Sequence, residues 1–340
     1  MVIIRNKPSG TIFSSSLSEL IISSDNDYVE LSLRTVGDEI TLYKENLWVY
    51  NGSAIAYNLS DIIENYMREK GISMLWLQIT AQYLDQHDVA SVHIVYCDAM
   101  LESADDVSVF LSNNFLTRLN TKRVDPDSKF SLYFYSSASD REMYELEYYF
   151  FIEGVEDKKS ITIRGYVDDE SENIYSIGIN MADLRRSAAL AFHVDSSLIS
   201  ISSFSVRCGE RSMDFFIDKS LQYGQAFFFR NIFNAWDFII VPALTSESTE
   251  VEHSLADVGS KSVSYDRNVS KSYEVLTGPI DTDEAKLIAD MVASHEICRI
   301  IKDVSYPVLI TDSECIIKDG EVLQTAKFSW RYAVNRVVMN

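Results

Sequence analysis

The sequence predicts a mainly β protein with minor α: two tandem β-sandwich-like domains, each with one short helix, followed by a C-terminal α+β module. Three observations carry this. A short cassette occurs twice, as Ile55-Ala56-Tyr57-Asn58-Leu59-Ser60-Asp61-Ile62 and as Ile177-Gly178-Ile179-Asn180-Met181-Ala182-Asp183-Leu184, each time running from a strand-like segment through an Asn into a helix opening. Apolar and polar residues alternate over much of the chain, the two-residue period of half-buried strands. Finally, 19 Tyr and 17 Phe against 12 Gly and 5 Pro suit strands and ordered loops, not disorder or a fibrous repeat.

With 340 residues and 38.7 kDa the chain has room for two or three domains that each bury a core. The expected units are residues 1–125, 126–245 and 246–340. In the first, Val29, Leu31 and Leu33 alternate with polar neighbours as a strand, Asn51-Gly52 marks a hairpin, and the cassette leads to a helix. Ser60 or Asp61 is its expected N-cap, with Gly71 just past its end. Residues 72–83 read as a central strand, and a strand running to Cys97 follows. The polar stretch 119–129, with Lys122-Arg123 and Asp125-Pro126-Asp127, reads as the domain boundary. The second unit repeats this order around its own cassette and reaches a strand ending at Cys208.

From residue 245 the character changes. Residues 245–271 are polar with sparse alternation, which predicts a long exposed hairpin turning near Asp266-Arg267-Asn268. Asp281 with Glu284 three residues later predicts a capped helix, with Ala285, Ile288, Ala289 and Val292 as its apolar stripe. Closing strands include Phe328, Trp330 and Tyr332.

Composition narrows function. Fifty-one acidic against 30 basic residues give a net charge of −21, which repels phosphate backbones, so no nucleic-acid partner is expected. No run of 18 apolar residues spans a membrane, and the opening segment is too short in apolar length for a signal peptide, so cytoplasmic synthesis is the expectation. Cys97, Cys208, Cys298 and Cys315 are widely spaced and read as free thiols.

No catalytic, cofactor or metal residues are assigned. There is no Gly-x-Ser-x-Gly elbow and no Gly-rich phosphate loop. His295 and Cys298 share a zinc-like spacing that also fits a helix end beside a buried thiol. The acidic stretch 168–173 offers oxygens for calcium but lacks the oxygen spacing and central Gly of an EF-hand, and it reads first as a solvated hairpin tip. The most apolar run, residues 226–242, leaves three readings open: core between sheets, a subunit interface, or a sugar-stacking platform. Phe227, Phe229, Arg230, Phe233 and Trp236 are its candidate interface or ligand residues.

The last third carries Phe233-Asn234-Ala235-Trp236-Asp237, Ser272-Tyr273-Glu274-Val275 with Thr277-Gly278-Pro279, Tyr306-Pro307-Val308-Leu309-Ile310-Thr311-Asp312, and Phe328-Ser329-Trp330-Arg331-Tyr332. In this pattern the chain resembles phage and prophage tail or baseplate structural proteins. The resemblance covers about a third of the chain and transfers no catalytic residue. It implies a non-enzymatic subunit, without cofactor, that forms homo-oligomers or joins other tail proteins in a virion. The alternative reading is a carbohydrate- or protein-binding β-sandwich adhesin.

Overall fold

A computed structural model describes residues 1–99, 107–136, 143–171, 173–302, 304–318 and 320–333. It is mainly β, with four α-helices among the described residues. The first unit comprises β1 (Ile3–Ile4), β2 (Thr11–Phe13), β3 (Glu19–Ser23), β4 (Tyr28–Thr35), β5 (Thr41–Trp48), β6 (Ser53–Tyr57), α1 (Leu59–Lys70), β7 (Met74–Tyr83) and β8 (Gln86–Val95). A five-stranded sheet, β2-β8-β7-β4-β5, faces the three-stranded sheet β1-β3-β6. Leu31, Leu33, Leu77, Ile79 and Val92 from the large sheet meet Leu20, Ile22 and Ala56 from the small one, and Leu59, Ile63 and Met67 of α1 close the core.

After α2 (Val107–Asn113) come β9 (Thr121–Val124), β10 (Lys129–Tyr135), β11 (Met143–Ile152), β12 (Lys159–Tyr166), β13 (Asp168–Ser171), β14 (Ile174–Asn180), α3 (Met181–Phe192), β15 (Ile199–Cys208) and β16 (Arg211–Ile217). Their large sheet, taken from its parallel edge, runs β9-β16-β15-β11-β12, element for element the order of the first unit. The edge strand is parallel in both units. The central hairpins turn at matching places, Tyr83 opposite Gln86 and Cys208 opposite Arg211. Counting back from those turns, Leu31 opposite Ala81 corresponds to Leu146 opposite Val206.

The repeated cassette marks the same joint in both units, with one internal offset. Leu20 and Ala56 face each other across the first small sheet and are buried, as Phe130 and Ile179 are in the second. Ala56 is thus not matched to Gly178 but occupies the place of Ile179, and the first unit has one extra residue before its helix.

 Asn58 absorbs that residue in the left-handed region (φ 58°, ψ 31°), whereas Asn180 stays extended (φ −135°, ψ 112°). Alternation along a strand makes such an offset swap the inward and outward faces, so Ile55 and Tyr57 point to solvent while Ile177 and Ile179 point into the core. The caps differ from expectation for the same reason. Asn58, not Ser60 or Asp61, holds the N-cap position of α1 and makes no side-chain capping bond, while Asn180 Oδ1 accepts from Ala182 N at 3.0 Å. Gly71 ends α1 as expected, at φ 66°. Cys97 and Cys208 are not equivalent: Cys97 lies beyond β8, the counterpart of β16, whereas Cys208 ends β15.

The remaining strands form one sheet, β18-β17-β22-β23-β24-β20-β19, with β21 paired to β24. Its members are β17 (Gln225–Arg230), β18 (Trp236–Val241), β19 (Ala243–Val258), β20 (Lys261–Thr277), β21 (Ile280–Asp281), β22 (Ile297–Ile301), β23 (Val304–Ile316) and β24 (Leu323–Tyr332). The helix α4 (Thr282–Ala293) packs against it through Ala285, Leu287, Ile288 and Met291. Asp281 caps α4 by accepting from Glu284 N at 2.7 Å, but the Glu284 carboxylate turns to Arg123 of β9. Sheet membership moves both expected seams. Residues 121–124 belong to the second unit, so the first seam precedes 125, and residues 225–241 belong to the C-terminal sheet, so the second precedes 245. The long hairpin is present, but it turns at Gly259-Ser260 instead of 266–268, with Gly259 supplying φ 65°.

The two asparagines give opposite expectations. Asn58→Gly keeps or raises the thermal midpoint because glycine accepts the left-handed backbone, whereas Asn58→Ile costs about 1–2 kcal/mol. Asn180→Ala costs about 1 kcal/mol through its lost cap. Thermal melts of the three variants check this, and a loss at Asn58→Gly equal to that at Asn180→Ala contradicts it.

Candidate functional site

The run of residues 226–242 becomes the hairpin β17–β18, and alternation sends its aromatic side chains in two directions. Phe227 and Phe229 are fully buried in the C-terminal core, where Phe227 meets Trp330 edge-on at 5.8 Å. Phe228 and Phe238 point the other way, and Phe238 stacks on Phe130 of the second unit at 4.1 Å. The hairpin therefore lies between two cores.

Its connecting loop, residues 231–235, reaches the first unit. Buried Phe233 stacks on Phe110 of α2 at 5.8 Å and lies 6.2 Å from Phe13 of β2. Asn234 Nδ2 donates to the carbonyls of Met67 at 3.2 Å and Ile72 at 2.9 Å, around the C-terminal end of α1. Asn231 shapes the loop: its Oδ1 accepts from Phe233 N and Ala235 N, and its Nδ2 donates to Leu116 O at 2.7 Å. The Arg230 guanidinium lies 4.3 Å from the Trp236 ring and donates to Asn234 O.

Of the five candidate residues, Phe227, Phe229 and Phe233 are thus buried inside the chain and cannot form a surface platform. Arg230 and Trp236 are half-buried. Trp236 borders an open cleft of about 750 Å³ between the outer face of β10–β14 and the C-terminal sheet, with Tyr133, Phe228 and Phe238 along its wall. Its ionisable lining does not converge: Lys129 is exposed, Asp183 pairs with Arg186 at 3.0 Å, and Asp237 is engaged in the interior by Lys122.

Carboxylates from several elements sink towards the junction. Glu64 of α1 accepts from Ser14 Oγ at 2.9 Å, and burial pushes its pKa up. Burial raises Asp98 in the same way. Asp290 of α4 accepts from Arg118 Nη1 at 2.6 Å, yet burial pushes its carboxyl up to about 6, and its Oδ2 has no hydrogen-bond partner among the described residues. The neighbouring His295 is lowered, first by burial and then by Arg68.

No group of three or more His, Cys, Asp or Glu among the described residues is placed to hold a metal ion. Cys298 sits opposite Pro307, and Cys315 lies eight residues further along β23, about 26 Å at the usual strand rise. In the acidic stretch, β13 pairs with β14 as one side of a hairpin, and Glu172 lies outside the described residues. No helix among the described residues is long and apolar enough to cross a membrane.

Two further surfaces stand out, the expected long hairpin and one that the sequence did not mark. Beyond the Glu247–Tyr273 pair, β19 and β20 bond only to each other in the described sheets, forming an arm about 35 Å long. Val251, Leu255, Val258, Val263 and Tyr265 are exposed on it. The second surface is the outer face of β3–β6, where Ile55 and Tyr57 are 39% and 61% exposed beside Ile3. The corresponding face of the second unit is covered in part by β18.

No protein-family model matches the chain, and no curated protein matches it. Among solved structures it is similar to a chimeric titin Z1Z2 functionalised with a decorin peptide, at 11% identity, covering 64% of this chain and 96% of that one with a TM-score of 0.18. It is also similar to alpha-2-macroglobulin of E. coli in its native conformation, at 8% identity and a TM-score of 0.21, covering 81% of this chain and 21% of that one. A third likeness is to the four N-terminal Ig domains of a Dscam1 isoform, at 10% identity and a TM-score of 0.16, covering 77% and 66%. Likenesses this low carry no argument about function.

Two measurements test the junction. Asp290 has a folded pKa above its ordinary value, so its contribution favours folding fully below pH 4 and is lost as pH rises through about 6. The loss is on the order of 2–3 kcal/mol. Asp290→Asn is expected to melt above the parent at pH 8 and to lose that advantage near pH 4; an advantage independent of pH contradicts the account. Phe233→Ala should cost about 3–5 kcal/mol and speed proteolysis of the segment joining the first two units, as read by timed digestion.

Proposed function

We propose that the chain is a non-enzymatic structural subunit that self-associates, of the kind found in phage or prophage tails and baseplates. The arm β19–β20 carries this reading. A two-stranded ribbon standing alone in water is marginal at best, and this one leaves apolar side chains and both outer strand edges uncovered. A neighbouring copy or another tail protein would supply the missing cover. The exposed outer face of β3–β6 supports the same reading, because its counterpart in the second unit already serves as a packing surface. The net charge of −21 keeps such a subunit soluble before assembly and disfavours nucleic acid as a partner.

A second reading, a carbohydrate- or protein-binding β-sandwich module, is favoured by the cleft beside Trp236, where aromatic faces adjoin Ser131, Asn180 and Asp183. The two readings separate experimentally. Light scattering after size exclusion, with negative-stain microscopy, is expected to find rings or other closed oligomers of the full chain. Replacing residues 248–272 by a tight Asn-Gly turn is expected to leave a folded monomer. A full chain that stays monomeric at high concentration, and binds glycans through a site lost in Trp236→Ala, would overturn the assembly reading in favour of the second.

A further inference from the structure

Lys122 and Asp237 are buried together where the second unit meets the C-terminal sheet. Their side chains are 4% and 5% exposed, and Lys122 Nζ is in direct contact with Asp237 Oδ1. Among the described ion pairs, no other has both side chains so deeply buried. Lys122 lies on β9, the parallel edge of the second unit's large sheet, and Asp237 on β18, the edge of the C-terminal sheet. The surroundings are aromatic: Nζ is 4.8 Å from the Phe238 ring, which stacks on Phe130.

Burying a lysine and a carboxylate in such a place is expensive, and their attraction recovers the desolvation cost only with good geometry and further hydrogen bonds. The carboxyl has those bonds on both oxygens. Thr117 Oγ1 donates to Asp237 Oδ2 at 2.7 Å and Asn231 Nδ2 donates to the same oxygen at 3.4 Å. Phe238 N donates to Oδ1 at 2.7 Å. Each oxygen therefore has two donors, Oδ2 the Thr117 hydroxyl and the Asn231 amide and Oδ1 the Phe238 backbone amide and the amine, and the amine has a second acceptor in Phe238 O at 3.4 Å.

This arrangement meets the needs of an amide-forming condensation: a nucleophile fixed against a carboxyl, donors for the oxygen that gains charge, and side chains almost wholly withdrawn from solvent. We infer that Lys122 and Asp237 are a modification site, joined in the mature protein by an intramolecular isopeptide bond. Transfer of one proton from the ammonium to the carboxylate within the contact gives a neutral amine and a neutral acid. The nitrogen lone pair then attacks the Asp237 carboxyl carbon, forming the C–N bond and placing negative charge on Oδ2 opposite Thr117 and Asn231. Collapse of that adduct breaks the bond to Oδ1, which leaves as water with the acid proton and a second proton from nitrogen. The amide keeps one hydrogen, and no oxidant, reductant or cofactor takes part.

The bond would close a covalent loop across 115 residues that contains the body of the second unit. Tension between the first unit and the C-terminal sheet would then pass through β9 and β18 and bypass that unit. The inference stands whether or not the chain assembles as proposed above.

Intact mass spectrometry of the purified full chain tests it. The expected result is a mass one water below that of the sequence, with a branched peptide joining the segments around Lys122 and Asp237 after digestion. The full sequence mass, with the two segments recovered as separate linear peptides, overturns the inference. Lys122→Ala and Asp237→Ala should each restore the full mass and lower the thermal midpoint; a variant that remains one water light overturns the assignment to this pair. The unsubstituted chain decides the matter alone if either variant does not fold.

Discussion

A strand pair with large aromatic side chains on both faces has no face to give to water, and β17–β18 is such a pair. Phe227 and Phe229 on one side and Phe228 and Phe238 on the other require two separate covers. The C-terminal sheet with α4 supplies one, and the small sheet of the second unit supplies the other. The tight loop held by Asn231 then delivers Phe233 to a third cluster, shared with Phe13 and α2. One hairpin thus couples three bodies that would otherwise be connected only in series. Covering a side chain of this size is worth roughly 2–3 kcal/mol, so the junction draws on the same hydrophobic term as the cores.

The duplication explains why so much of the architecture repeats while its surfaces do not. Both units use the same large-sheet order with a parallel edge strand, and both enter a helix from the same strand. The outer face of the small sheet differs. In the second unit it carries Lys129, Ser131, Tyr133, Gly178 and Asn180 and lies under part of the C-terminal sheet, whereas in the first it carries Glu19, Ile21, Ile55 and Tyr57. On the first unit's copy Ile55 and Tyr57 stay exposed. Apolar side chains left uncovered there suit the self-association proposed above.

The elements legible in the sequence were those with a local signature. Alternation located β4 and β24, and the Asp281–Glu284 spacing located α4 with its cap. The cassette located the strand-to-helix joint in both units but hid the offset, because Asn tolerates the left-handed backbone as well as the extended one and its letter does not say which. Lys122 and Arg123 looked like a solvated boundary since both are charged. Their partners, Asp237, Asp218 and Glu284, lie at least 95 residues away, and no local pattern reports pairing at that range. Five aromatic-run residues were recognised as a coherent group, yet only the third dimension shows which side each one faces.

The arm and the junction are joined by a continuous chain of contacts. The arm leaves the body where Tyr273 stacks on Trp330 at 4.3 Å, and Trp330 is in turn packed edge-on against Phe227 of the junction hairpin. A load on the arm therefore enters β20, crosses to β24 by backbone pairing at Tyr273 to Leu276, and reaches β17 through side-chain packing. From there it divides between Phe233 in the first unit's direction and the Lys122–Asp237 contact in the second's. An exposed ribbon rooted in a loosely packed module would dissipate such a load by local unfolding at its base. Rooted in the residues that tie all three bodies together, it can transmit the load instead, so an exposed ribbon is joined to a buried hairpin.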